Sequence, residues 1–159
     1  MPALAALLLM ASATTVFDYD RSAPINVQVV KTETRDGVSE VRDITFASLT
    51  GTRTAAYLIV PPPPGKTLRP GILYVHWYEP PNPTSNRTQF VGEAVELAKR
   101  GVVSLLPATM WSDFGWFRAR KRDDDLKNSL QQLRELRRAM DVLLAQPGID
   151  PKRVAYVGH

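Results

Sequence analysis

The sequence predicts an α/β fold in which N-terminal antiparallel strands lead into a parallel sheet with helices on both faces. Three observations predict it. Alternating apolar and polar residues flank Asp36-Gly37, a dipeptide that supplies the positive φ of a tight hairpin. Three later runs, Ile72 to Val75, Val102 to Leu106 and Val154 to Val157, are almost wholly apolar, as strands covered on both faces are. Between these runs lie two stretches with apolar residues at steps of three and four, the period of a helix. Strand, helix, strand, helix, strand in that order implies right-handed crossovers and parallel pairing.

Taken in order, Ile25 to Thr34 alternates as a strand, with Ile25, Val27 and Val29 on one side and Asn26 and Gln28 on the other. After the Asp36-Gly37 turn, Val38 to Ala47 resumes the alternation, Thr50-Gly51-Thr52 turns again, and Ala55 to Val60 forms a third strand. Pro61-Pro-Pro-Pro-Gly65 ends this meander, because proline cannot donate to a ladder and disfavours helix before it. Phe90, Val91, Ala94, Val95, Leu97 and Ala98 share a helical face that Lys99-Arg-Gly101 closes. A loop from Pro107 to Arg122 carries Trp111, Trp116 and Phe117. Asp123-Asp-Asp125 then opens the longest helix, with acids where the helix dipole favours them, and it runs to Ala145. Its stripe Leu126, Leu130, Leu133, Leu136, Met140, Leu143 and Leu144 is expected in the core, and Arg134, Glu135, Arg137, Arg138 and Asp141 are expected in solvent. Pro147-Gly148 stops it before the terminal strand.

Composition narrows the function classes. The chain has 159 residues, room for one domain. Its net charge is +4, and the dense run Arg118 to Arg122 meets three aspartates at once, so no nucleic-acid partner is expected. The absence of cysteine excludes a disulfide framework, a thiolate zinc site and a Cys nucleophile. Two histidines, His76 and His159, are too few for a His-based metal cluster, and no cofactor is expected. No run approaches the roughly 20 apolar residues of a membrane span. Leu4 to Met10 is a short apolar core before Ala11-Ser-Ala13, an A-x-A cleavage pattern. Residues 1–13 thus read as a signal peptide, with export to a periplasmic or extracellular space, although Met1-Pro-Ala carries no basic residue. The other reading is a loose apolar helix docked on a cytoplasmic domain. Residues 14–24 read as a linker and 25–159 as the domain. No G-x-G-x-x-G or G-x-x-x-x-G-K is present to cradle a dinucleotide or a triphosphate.

Three stretches carry a resemblance: Arg69-Pro-Gly-Ile-Leu-Tyr-Val-His-Trp77, Leu97-Ala-Lys-Arg-Gly-Val-Val-Ser-Leu-Leu-Pro107 and Asp150-Pro-Lys-Arg-Val-Ala-Tyr-Val-Gly-His159. In this order and spacing the chain resembles the first half of the alpha/beta-hydrolase fold, of the dienelactone-hydrolase and prolyl-oligopeptidase type. The resemblance covers about residues 25–159 and implies an incomplete hydrolase domain. It implies a central strand ending at His76, with the strand ending at Val157 beside it.

The resemblance also implies a chemistry. Gly158-His159 would start a G-x-S-x-G nucleophile elbow, with the nucleophile at position 160. One oxyanion donor would be the N–H of Tyr78, in a loop that reads His76-Trp77-Tyr78 where the family usually has His-Gly-x. In this fold the acid and the histidine follow the nucleophile in chain order. None of Asp113, Asp123, Asp150, His76 or His159 is therefore read as a triad member, and His76 is assigned a packing or loop-ordering role. Trp77, Trp111 and Trp116 are candidates for an acyl pocket, and the same aromatic loop could instead cap the core. The implied function is part of a serine hydrolase of esterase, thioesterase or peptidase type, inactive as it stands, whose full-length form would act on a small-molecule or peptide substrate. The alternative is a complete, non-catalytic doubly wound binding domain.

Overall fold

The computed structural model describes residues 16–37, 39–62, 67–79 and 82–158. The expected signal peptide and His159 lie outside the described residues. The strands are β1 (Gln28–Arg35), β2 (Ser39–Ala47), β3 (Arg53–Val60), β4 (Arg69–Val75), β5 (Val103–Pro107) and β6 (Ile149–Gly158). The helices are α1 (Val91–Ala98), α2 (Phe114–Ala119) and α3 (Asp125–Leu144). The strands form one six-stranded sheet in the order β1-β2-β3-β5-β4-β6. The first three and the β3–β5 contact are antiparallel, while β4 pairs parallel with both β5 and β6. This is the α/β architecture the sequence predicts, an antiparallel opening that feeds a parallel sheet.

The opening turn forms at Asp36 and Gly37, whose φ values are 53° and 67°. The chain then leaves β4 towards β5 through α1 and returns past β4 to β6 through α3. Crossovers of one hand that run in opposite directions must put their helices on opposite faces. The core shows this directly. Leu73, Val75 and Leu105 pack under Ala139, Val142 and Leu143 of α3. Tyr74 and Leu106, the alternate residues of the same strands, pack under Val91, Ala94, Val95 and Ala98 of α1. A Cβ at Gly71 of β4 would stand 3.3 Å from Leu143 and 3.4 Å from Val154, so the bare backbone there lets helix and neighbouring strand close in.

Two expectations are corrected. The terminal strand is longer than Val154 to Val157, and it is not buried. It begins at Ile149, its register with β4 slips between Arg69 and Gly71, and Tyr156 is 58% exposed. The reason is its place at the sheet edge, with β4 its one strand neighbour among the described residues.

The second correction concerns α3. Leu126 is 73% exposed and Leu133 is also exposed, whereas Arg138 is 1% exposed. Residues 16–25 run along the expected solvent face and cover it. Arg134 donates to Val16 O, Arg137 Nη1 to Phe17 O at 2.5 Å, and Arg138 Nη2 to Ala23 O and Pro24 O at 2.8 Å each. Asp141 accepts from Tyr19 Oη and from Arg21. Burial, and then the Asp141 carboxylate, push the Tyr19 phenol up to about 12. The expected linker is thus a strap held by side chains of one helix. Among the described residues no helix is long and apolar enough to cross a membrane.

Candidate active site

In open parallel sheets, ligands settle beyond the carboxyl ends of strands, where the chain reverses its direction of travel across the sheet. Here that place is the tip of β4, between β5 and β6. Val75, the last residue of β4, stands in register with Gly158 of β6. The loop His76-Trp77-Tyr78-Glu79 leaves from this tip.

His76 is 3% exposed and fully occupied. Its Nδ1–H donates to the Trp77 carbonyl at 2.9 Å. This leaves Nε2 as an acceptor for the Thr109 hydroxyl at 2.8 Å and the Thr109 N–H at 3.3 Å. The indole N–H of Trp111 donates to the His76 carbonyl at 3.2 Å. The imidazole is therefore neutral and ties the tip of β4 to the loop after β5. Burial pulls its pKa below 6.5, and the hydrogen bond to the Trp77 carbonyl opposes that shift.

Side chains from the next loop fix the backbone that follows. Trp77 N–H donates to Gln89 Oε1 at 3.0 Å, and Ser85 Oγ donates to the Trp77 carbonyl at 2.8 Å. Glu79 N–H donates to Ser85 Oγ at 2.8 Å. Arg87 anchors this loop to the sheet through both Asp43 carboxylate oxygens, at 2.5 and 3.0 Å, and lies 4.2 Å above the Tyr57 ring. The Tyr78 N–H stands between two such anchored amides and meets no acceptor among the described residues.

A pocket of 290 Å³ opens beside Tyr78. Trp111, Trp116 and Phe117 line it, with Met110 and, from the other side, Asp125, Asn128, Ser129 and Gln132 of α3. The Tyr78 and Phe117 rings stack at 3.8 Å. Trp77, the third tryptophan proposed for the pocket, is not on its wall and meets Phe90 edge-on at 6.5 Å. Gly158 ends β6 close to its own neighbour, since a Cβ there would fall 2.9 Å from the Tyr156 ring.

Sequence reasoning left Pro107 to Arg122 as loop and missed α2. The missed signal is Asp113, whose carboxylate accepts from Gly115 N–H at 2.8 Å and Trp116 N–H at 3.2 Å as a helix cap does. It also missed Gln132, which is 5% exposed and accepts the Met110 N–H at 2.9 Å, so that α3 holds the aromatic loop. A polar residue inside an apolar-periodic helix was the available sign. Among the described residues no group of three His, Asp or Glu side chains is placed to hold a metal ion.

No family model matches the chain, and no curated protein does. Solved structures do. Acetyl xylan esterase 1 from Thermoanaerobacterium sp. JW/SL YS485 superposes with a TM-score of 0.70 at 17% identity, over 91% of this chain and 48% of that one. The dienelactone hydrolase-like promiscuous phosphotriesterase P91 from metagenomic libraries gives 0.57 at 20%, over 77% and 49%. A glucuronoyl esterase from Solibacter usitatus gives 0.58 at 15%, over 89% and 47%. The fold is that of the alpha/beta-hydrolases, and the chain spans about half the length of the structures it matches.

Proposed function

We propose that this chain is the N-terminal part of a serine hydrolase that cleaves esters by nucleophilic acyl transfer. The observation that carries the reading is the register of Val75 with Gly158. Continued two residues, it brings position 160 alongside Trp77-Tyr78. A nucleophile there would face the Tyr78 N–H, which has fixed neighbours and no acceptor among the described residues. That is the relation an acyl-transfer site needs, because an oxyanion develops beside the attacked carbon and a preset donor stabilises it. Gly158 and His159 would form the start of the elbow. The second donor would be the amide after the nucleophile, and the acid and histidine would follow later in the chain. The neighbours named as esterases support an ester over other acyl substrates.

His76 is not the base in this reading, since both ring nitrogens are already engaged in holding the loop. The 159-residue chain alone is then inactive, and the longer protein is active. The pocket beside Tyr78 receives the part of the substrate next to the reacting carbonyl.

The test is hydrolysis of a short-chain activated ester. The longer protein should turn it over, and Ala at position 160 should abolish turnover. Tyr78→Pro, which removes the N–H, should lower kcat by about 100- to 1,000-fold, while Tyr78→Phe keeps it. Turnover by the 159-residue chain that survives replacement of both His76 and His159 would overturn the proposal and leave its nucleophile unexplained.

A further inference from the structure

We propose that the pocket beside Tyr78 is built for a neutral polyhydroxylated group, a sugar ring or similar polyol, and not for an alkyl or aryl acyl chain. The inference rests on the ester-hydrolase reading only in taking that group to be one half of the ester. The pocket has two walls of opposite chemistry. Trp111 and Trp116 supply an aromatic wall, and Asn128, Ser129 and Gln132 supply a polar one. The polar residues lie on one face of α3, because steps of three and four return to the same side of a helix. A pyranose has the same division, with faces of C–H groups and edges of hydroxyls. An aromatic wall buries the first without asking for hydrogen bonds, and amides and hydroxyls answer the second. An acyl chain would cover only the aromatic wall and would desolvate the polar wall without pairing it, which is unfavourable.

Gln132 gives the pocket a donor of fixed direction. The Met110 N–H claims Oε1 at 2.9 Å, which orients the amide. The residue is 5% exposed, and its Nε2 group, which meets no acceptor among the described residues, stays open to the pocket. A ligand oxygen in the pocket would pair with that open donor. Gln132 and Met110 also border a second cavity of 370 Å³, lined by the hydroxyls of Ser48, Thr50 and Thr52.

Charge excludes the alternatives. Among the described residues of the pocket wall, the charged side chains are Arg120 and Asp125, which pair with each other at 2.8 Å. Neither a carboxylate nor an ammonium group finds a free counter-ion there. The volume of 290 Å³ sits at the small end of ligand pockets, which run from about 300 to 1,000 Å³, and suits a single ring.

The experiment reads tryptophan emission of the 159-residue chain titrated with methyl β-D-glucopyranoside, myo-inositol, cyclohexanol and hexanoate. The glucoside or inositol should give a saturable change, and cyclohexanol and hexanoate should give none at the same concentrations. Gln132→Glu keeps an oxygen for the Met110 N–H and loses the donor, so it should weaken polyol binding about tenfold. Asn128→Ala should weaken it as well, which keeps the test open if Gln132→Glu disturbs the loop. Trp116→Ala should remove the response.

The proposal is overturned if neither polyol gives a saturable response. It is equally overturned if cyclohexanol or hexanoate binds more tightly, or if polyol binding is indifferent to all three substitutions. Failure of the hydrolase reading looks different: polyol binding would persist in a longer protein that turns over no ester.

Discussion

His76 links one side chain to a measurable pH dependence. In the fold its pKa lies below the ordinary 6.5, chiefly because burial disfavours the imidazolium. The unfolded chain therefore takes up a proton near pH 6.5 that the folded chain refuses. Stability is fully present above that pH and is lost as pH falls from 6.5 towards the lowered value. Thermal melts from pH 7.5 to 5.5 should show a falling Tm, and His76→Gln should flatten that slope. The same variant disturbs the contacts to Thr109 and Trp77 and should lose about 1–3 kcal/mol at pH 7.5 in urea unfolding. Arg138 shows what a residue-by-residue reading cannot see. Its charge suggests solvent, yet it donates to Ala23 O and Pro24 O with almost no exposure. Arg138→Ala should destabilise by about 3 kcal/mol and expose residues 16–25 to protease, and Lys should not rescue it, since one ammonium cannot reproduce a planar fork.

At the scale of elements, the sequence announces those whose pattern is set locally. The Asp36-Gly37 turn, the apolar runs of β4 and β5 and the apolar face of α1 all form where the period and turn residues put them. What stays hidden is which face of an element another segment covers. α3 carries one continuous leucine stripe, but only its C-terminal half faces the core. Its N-terminal half turns Asn128, Ser129 and Gln132 towards the aromatic pocket and leaves Leu126 in water. Leu143→Ala should therefore lose about 2–5 kcal/mol, and Leu126→Ala less than about 0.5, by urea titration. Gly71→Ala should also lose about 1–3 kcal/mol, because the new methyl meets Leu143 closer than ordinary contact while Val154 leaves it no room to shift away. The candidate site was legible where strand order alone decides it, at the tip of β4 beside Gly158. Gln132 and α2 were not, because both depend on how the Pro107 to Arg122 segment folds back on α3.

At the scale of the whole molecule, the sheet of the described residues has two edges, β1 and β6. β1 is exposed along nearly its whole length and defends itself with Lys31, Glu33, Arg35 and a register shift after Val29. β6 carries Tyr156 and Val157 in the open. Pro151, Lys152 and Arg153 guard the first half of this edge, but its apolar end invites pairing with another chain. Tyr156→Lys should therefore lower light scattering of a concentrated 159-residue sample, with little change in Tm. The strap has a consequence for the order in which the molecule is made. Residues 16–25 are synthesised before Arg134, Arg137, Arg138 and Asp141, which hold them and follow 114 to 122 positions later. At a synthesis rate of about 5–20 residues per second, this segment spends seconds waiting for its clasp. During that interval Val16, Phe17 and the valines entering β1 are open to whatever chaperone or neighbouring nascent chain reaches them first.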